Sequence, residues 1–362
     1  MGANFDLSML AIKAIAPNNE VLYDDMGLPS IMVRIPKMTY AELGVGDSTD
    51  VFPAFIINGQ QVPEIYISKF QNCVSGGRAY SLPSRAPQTV INFETAISRC
   101  AAKGAGWHLM TRMEWALLAL WCKKNGTMPK GNNNYGKDVS EGIFRAIPCS
   151  FENNGKRQKV YTGTGPLAWS HDGTPAGVWD LNGNVSEWVG GIRAVYGELQ
   201  VLLNNNAADL SRLQTGASEE WKAINATTGA FVTPNGSGTT TDSVKLRWRT
   251  NHFEWTSDGT ADGTSENNNC SIEAVTCDSS IGSAAKLYLQ ALGLFKSDET
   301  EGAYSGDQLY SNTSREESLF YCGGSFASIG NAGVFCAYGY YARTYSSANL
   351  GFRSAFVNLP AT

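Results

Sequence analysis

The sequence has no long apolar run and no excess of positive charge. None of its segments approaches the roughly 18 to 20 consecutive apolar residues that a membrane-spanning helix needs. Its 28 Lys and Arg residues are outnumbered by 33 Asp and Glu residues. The first twenty residues lack a basic segment, and Lys13 interrupts their short apolar run from Met9 to Ile15. We therefore expect no signal peptide, no membrane insertion and no nucleic-acid partner.

Residues that usually build zinc and nucleophile sites are sparse or badly spaced. The three histidines, His108, His171 and His252, form no spaced cluster, and the cysteines show no paired CxxC spacing. A GxSxG nucleophile elbow and a phosphate-binding glycine loop are both absent. We predict free, buried thiols, with Cys270 and Cys277 as the first pair to test for a disulfide. The remaining cysteines are Cys73, Cys100, Cys122, Cys149, Cys322 and Cys336.

Length and composition indicate a globular chain with room for a substantial core. The 362 residues are 43% hydrophobic, and the length lies between one large and two ordinary domains. Residues 1–50 carry short strand-like runs such as Ile31–Ile35 and are predicted to be a lead-in region. Residues 51–362 are predicted to form the main domain. Near its start, Asn58-Gly59 favours a tight β-hairpin because both residues tolerate positive φ.

Two helices are predicted from apolar side chains at three- and four-residue spacing. The first runs from about Asn92 to Lys103 and the second from about Thr111 to Lys124. Thr111 followed by Glu114 is a capping box, in which each side chain satisfies a free backbone amide at the helix start. Residues 190–318 are rich in Asn, Thr, Ser and Gly and are predicted to be a loop-rich insertion.

Several separated motifs occur in the order found in one known family. They are Tyr66–Lys69, GWHLMTRMEWALLA from Gly106, GVWDLNGNVSEW from Gly177, and the GGS and NLGFR segments between Gly323 and Arg353. Together they resemble the formylglycine-generating enzymes, a branch of the C-type lectin fold. The resemblance covers about residues 51–190 and 318–358. It implies an α+β fold of the C-type lectin kind, with the loop-rich insertion added.

The family's enzymes oxidise a substrate cysteine with two cysteines that follow the GGS segment. The matching positions here are Ser328 and Gly333. Serine and glycine cannot supply thiolates for copper ligation or redox exchange. Cys322 and Cys336 lie nearby at the wrong offsets. We therefore predict a protein that is not an enzyme, with an oxidase of this type as the alternative.

The final segment resembles another group with the same fold, the variable proteins of diversity-generating retroelements, which include phage tropism determinants. In that group a reverse transcriptase randomises adenines, so that asparagine codons become codons unable to encode Lys, Gln, Glu, Met or Trp. All five residue types are absent from Phe326 to Asn349, although the whole chain uses them freely. A buried segment of small residues would also lack charge, so that explanation stays open.

The resemblance implies a variable region over residues 323–356 and a ligand-binding surface rich in Tyr, Ser, Ala and Gly. A tyrosine offers a large contact area while only two side-chain torsions lose their freedom on binding, and small residues let the surface fit a ligand closely, as in antibody paratopes. The implied ligand is a protein or carbohydrate on a host or target cell surface, bound by a chain displayed on a phage particle or a cell. A lectin-like module without diversification is a further alternative. The predicted varied positions are Phe326, Ala327, Ser328, Ile329, Cys336, Tyr338, Tyr340, Tyr341, Thr344, Tyr345 and Ser347.

The Gly177 to Trp188 segment contains oxygen donors at a spacing that could wrap a calcium ion. Related enzymes hold calcium in the matching block, so the resemblance implies a structural calcium; no other cofactor is required. The alternative is a tight turn in which Asp180 and Glu187 bond the backbone, while Trp179 and Trp188 fill the core. The candidate ligands are Asp180, Asn182, Gly183, Val185 and Glu187.

Overall fold

A computed structural model describes residues 3–260 and 265–359 and shows an α+β chain. Its described helices are α1 (Ala3–Ile15), α2 (Phe93–Ala101), α3 (Arg112–Asn125) and α4 (Ser283–Ala291). The first strands are β1 (Asn19–Tyr23), β2 (Pro29–Pro36), β3 (Ile56–Ile57), β4 (Gln60–Gln61), β5 (Glu64–Ser68), β6 (Cys73–Ser75), β7 (Arg78–Tyr80), β8 (Trp107–Leu109), β9 (Ser186–Val195) and β10 (Glu198–Val201). The later strands are β11 (Lys222–Ile224), β12 (Phe231–Val232), β13 (Lys245–Trp248), β14 (Phe253–Thr256), β15 (Asn268–Ser271), β16 (Thr276–Cys277), β17 (Gln308–Ser311), β18 (Ser318–Gly323), β19 (Gly333–Tyr341), β20 (Leu350–Phe352) and β21 (Ser354–Phe356).

The smaller main sheet joins the two ends of the chain. Its order is β1-β2-β5-β21-β8, with each neighbouring pair antiparallel. The C-terminal strand β21 lies between β5 and β8, so β8 joins this sheet only through pairing with the last strand of the chain. Residues 19–36, within the predicted lead-in region, supply β1 and β2 of this sheet.

The larger sheet has twelve strands and contains the candidate surface. Its main path runs β15-β17-β19-β18-β9-β10-β13-β14-β16, with β11, β12 and β20 attached at its sides. Residues 190–318 were predicted to be loop-rich, yet they contribute β10 to β17 and α4. Their polar runs form the turns, while buried residues such as Trp221 and Trp255 pack into the interior. The insertion is therefore part of the scaffold.

The predicted hairpin and both predicted helices are confirmed. Asn58 and Gly59 have positive φ angles of 52° and 76° and connect β3 to β4. Asn92 caps α2 by accepting a hydrogen bond from the Thr95 amide. The capping box at Thr111 is complete. Helix α1 was not predicted.

The core lies between the sheets and around α3, most of whose side chains are buried. Arg112 at the start of α3 donates to the carbonyls of Leu292 (2.8 Å) and Gly293 (3.0 Å), which ties the helix to the insertion. All eight cysteines are free, so Cys270 and Cys277 are not joined. Among the described residues, no helix combines the length and apolar character needed to cross a membrane.

Candidate ligand-binding surface

Strand β19 sets the direction of the side chains in the predicted variable region. Successive side chains of a strand point to opposite faces. Phe335 and Ala337 join the main core, whereas Cys336 and Tyr338 join a second apolar cluster on the other face, with Tyr340 packed against it. Gly339 is required between the two tyrosines, because a Cβ there would lie 2.6 Å from the Phe320 ring.

Three tyrosines form a stack across three adjacent strands. Tyr338 on β19 is paired in register with Tyr310 on β17 and with Tyr321 on β18. The ring centroids lie 4.4 Å apart for Tyr310 and Tyr338, and 4.7 Å apart for Tyr321 and Tyr338, with nearly parallel planes. Tyr341 and Tyr345 form a second stack with a centroid distance of 3.6 Å. The outer Tyr341 also lies parallel to Tyr321, so the two stacks are adjacent.

A cavity of about 240 Å³ opens among these tyrosines. No charged side chain lines it. Residues outside the predicted varied set complete its lining: Ser186, Tyr321, Ser325, Asn349 and Leu350. The predicted varied positions that line it are Ala327, Ser328, Tyr338, Tyr340, Tyr341 and Tyr345.

The other predicted positions lie outside this cavity. Ile329 is 49% exposed, Thr344 is also exposed and Ser347 is half-buried. Phe326 is buried against Tyr135, with ring centroids 5.7 Å apart. Cys336 is 0% exposed, so the structure does not place it on the contact surface, and its variation stays a prediction. Its thiol lies on the same face of β19 as Tyr338 and Tyr340 but is fully covered by the apolar cluster around it.

The tyrosine hydroxyls are neutral groups, and a nearby ion pair anchors the end of the segment. Burial raises the pKa of Tyr310 to about 12 and also raises the pKa values of Tyr321 and Tyr338. Arg343 donates to both carboxylate oxygens of Glu317 at 2.8 and 2.7 Å. The surface is therefore uncharged at its centre, with a fixed charged pair at its edge.

The second candidate site is the turn that begins at Asp180. Asp180 accepts a hydrogen bond from the Gly163 amide (3.2 Å), and burial raises its pKa to about 6. Glu187 is buried and paired with Arg353. Asn182 donates to the Pro129 carbonyl at 2.9 Å. Gly183 has a φ of 77°, and a Cβ there would overlap the Asn132 carbonyl.

The chain matches the family model described as "Sulfatase-modifying factor enzyme 1-like domain" over residues 24–237, more than half of its length. The chain belongs to this family. The predicted family resemblance and the α+β fold class with a C-type lectin-like architecture are confirmed.

Three solved structures are similar to the chain at low identity. "Treponema denticola variable protein 1" has 12% identity and a TM-score of 0.33, covering 94% of this chain and 99% of that one. PvdO from Pseudomonas aeruginosa has 13% identity and a TM-score of 0.30, covering 93% and 97%. The "Major Tropism Determinant U1 Variant" has 11% identity and a TM-score of 0.28, covering 93% and 71%. No curated protein matches the chain.

Ser328 and Gly333 are the positions predicted to match the family's two cysteines, and neither carries a thiol. The Ser328 hydroxyl accepts from the Ser325 amide at 2.9 Å. At Gly333 a Cβ would overlap the carboxylate of Asp307, so the site is built around glycine. Burial raises the pKa of Cys322 and of Cys336, which leaves both nearby sulfurs as protonated thiols and poor nucleophiles.

Several oxygens of the predicted calcium block already have partners within this chain. Calcium takes six to eight oxygen ligands, usually with several carboxylates. Here the carbonyls of Asp180, Gly183 and Val185 face the side-chain amide of Gln71, and the Glu187 carboxylate is paired with Arg353. Trp179 and Trp188 are buried, as the tight-turn alternative predicts. The sequence did not predict Gln71, Tyr310 or Tyr321, because each lies outside the motifs that resemble the family.

Proposed function

We propose that the chain is a ligand-binding protein whose contact surface is the tyrosine-lined cavity and its rim, and that a retroelement diversifies this surface. The observation that carries the proposal is the convergence of six predicted varied positions on one cavity of about 240 Å³. The sequence predicts these positions from residue composition and from the resemblance to the variable proteins, without any structural information. A segment that merely filled the core would not line an open cavity with its tyrosines.

The packing of the cavity suits recognition. Tyr310 and Tyr321 hold Tyr338 between two parallel rings, so little side-chain freedom remains to be lost when a ligand binds. Tyr341 and Tyr345 are partly exposed and support each other by stacking. Rigid aromatic anchors beside small residues are the composition of an adaptable binding surface. The proposed ligand is a protein or carbohydrate on a host or target cell surface.

The chemistry near the surface favours binding over oxidation. Ser328 and Gly333 cannot form the thiol pair of the family's enzymes. Position 333 cannot hold a cysteine unless Asp307 moves. Cys322 accepts a hydrogen bond from Arg112 at 2.9 Å and is fully buried, which keeps it from a peptide substrate. We therefore propose a protein without the oxidase activity of its family.

Alanine substitutions at the rim of the cavity, which is formed by the partly exposed Tyr341 and Tyr345, test the proposed surface. We expect Tyr341→Ala and Tyr345→Ala each to weaken binding by about tenfold or more, since each removes an aromatic anchor. Because both rings are partly exposed, the variants should fold as the wild type does. Binding of labelled protein to a panel of bacterial cells and to a glycan array measures the effect, with circular dichroism as the folding check.

Tyr23→Ala is the matched control, because Tyr23 is exposed on β1 and does not line the cavity. It should bind as the wild type does. Wild-type binding by both rim variants to a surface that the parent protein recognises would contradict the proposal.

A further inference from the structure

A ring of buried oxygens surrounds the side-chain amide nitrogen of Gln71. Gln71 Nε2 lies 3.1 Å from the Asp180 carbonyl oxygen, 3.4 Å from that of Gly183 and 2.8 Å from that of Val185. It also lies 2.9 Å from Oε1 of Glu187. One amide nitrogen therefore places its two hydrogens among four acceptors at the centre of the turn.

Neighbouring hydrogen bonds fix the orientation of the Gln71 amide. The backbone N–H of Val160, which can only donate, lies 2.9 Å from Oδ1 of Asn184. Asn184 Nδ2 must therefore point the other way, and it donates to Gln71 Oε1 at 2.8 Å. Gln71 Nε2 is consequently the atom that faces the oxygens. Reversing the amide would place Gln71 Oε1 against the four acceptors and Nε2 against another donor.

Arg353 supplies the positive charge that the turn requires. Its Nε donates to Glu187 Oε2 at 2.9 Å and its Nη2 to Glu187 Oε1 at 2.8 Å, in a bidentate pair that is almost fully buried. Nη2 also donates to the Trp179 carbonyl (2.8 Å) and Nη1 to the Ser68 carbonyl (2.7 Å). The guanidinium thus neutralises the one carboxylate of the ring and links the turn to β5.

We infer that the Gln71 amide and the Arg353 guanidinium together replace a bound calcium ion, so that this turn is stable without metal. The amide hydrogens occupy the space in which the carbonyl oxygens would ligate a cation. The Glu187 charge that would attract the cation is already paired. This inference concerns the scaffold and does not depend on the proposed ligand-binding function.

The first test measures the wild-type chain directly. Thermal unfolding in excess EGTA and in millimolar calcium chloride should give the same Tm. Elemental analysis of the purified protein should find no stoichiometric calcium. One retained calcium per chain, together with a lower Tm in EGTA, would overturn the inference.

The second test uses Gln71→Glu, which exchanges the amide hydrogens for an additional carboxylate oxygen. In EGTA we expect its Tm to fall by about 5 °C or more, because buried acceptors lose their donors. Calcium should restore part of this loss, since the altered ring offers two carboxylates. The exposed Gln60→Glu on β4 is the matched control and should keep the wild-type Tm in both conditions. A Gln71→Glu protein as stable in EGTA as the wild type would also overturn the inference. If the variant does not fold, the wild-type measurements decide.

Discussion

Asp307 is a fully buried carboxyl packed beneath Gly333 and behind the candidate surface. Its Oδ2 accepts from the Phe335 amide at 2.7 Å, and its Oδ1 has no hydrogen-bond partner among the described residues. Burial raises the pKa of Asp307 to about 8, from an ordinary value of 3.8. The folded chain therefore keeps this proton at pH values where the unfolded chain has lost it.

This raised pKa predicts that Asp307 costs stability as the pH increases. Between about pH 4 and pH 8 the folded state binds the extra proton, so the free energy of unfolding falls across that window. Asp307→Asn keeps an acceptor for the Phe335 amide and removes the titration. Relative to the wild type, we expect it to gain on the order of 3 kcal/mol at pH 8 and little near pH 4.

Urea unfolding at the two pH values measures the difference for Asp307→Asn. The exposed Asp47→Asn serves as the control and should show no such difference. An Asp307→Asn effect of equal size at both pH values would contradict the predicted titration.

The residue-level prediction from the sequence depended on composition. The residue types absent from Phe326 to Asn349 drew the prediction to a segment whose Ala327, Ser328 and four tyrosines line the cavity. Composition does not report how deeply a side chain is buried, so the fully buried Cys336 was predicted together with the partly exposed Tyr340 on the same face of β19. Tyr310 and Tyr321 escaped because their role depends on strand register, which brings residues distant in sequence onto opposite sides of Tyr338.

At the scale of elements, the start of α3 joins local capping to tertiary packing. The Thr111 hydroxyl accepts from the Glu114 amide at 3.1 Å, and the Glu114 carboxylate accepts from the Thr111 amide at 2.9 Å. The same hydroxyl donates to Asn205 Oδ1 at 2.7 Å, next to the large sheet. The Thr111 side chain therefore satisfies a free backbone amide at the start of α3 and also links the helix to a segment beyond β10.

Removing that hydroxyl should destabilise the whole domain. We expect Thr111→Ala to lower the free energy of unfolding by about 1 to 2 kcal/mol, the usual cost of losing a helix cap. Thr111→Ser retains the hydroxyl and should lose much less. Denaturant unfolding compares the two variants, and equal stability of Thr111→Ala and wild type would show that the cap contributes nothing.

Elements with strong local signals were predictable, and short elements were not. The hairpin at Asn58-Gly59 and the starts of α2 and α3 depend on turn and capping residues that can be read from the sequence. Strands β11 to β17 have two to four residues each, too few to show alternation. Their positions depend on pairing with distant strands. The polar turns between them dominate the composition, which is why residues 190–318 were predicted to be loop-rich.

At the scale of the whole molecule, the segment from Phe326 to Asn349, which holds the predicted varied positions, is held at both ends by paired strands. Strand β18 precedes it and pairs with β9, while β20 also pairs with β9 and β21 completes the smaller sheet. Arg353 lies between β20 and β21 and is bonded to Glu187 and to β5. Side chains at the cavity can therefore change while their anchoring strands keep the same partners.

Sequencing the gene and its flanking DNA in many independent clones tests the diversified binding surface most directly. The account predicts a near-identical repeat nearby and differences confined to the codons of Phe326 to Asn349, at positions where the repeat has adenine. The partly exposed positions Tyr341 and Tyr345 should vary, while Gly333 and Arg353 should not. An invariant segment with no repeat would contradict diversification and leave a fixed lectin-like module.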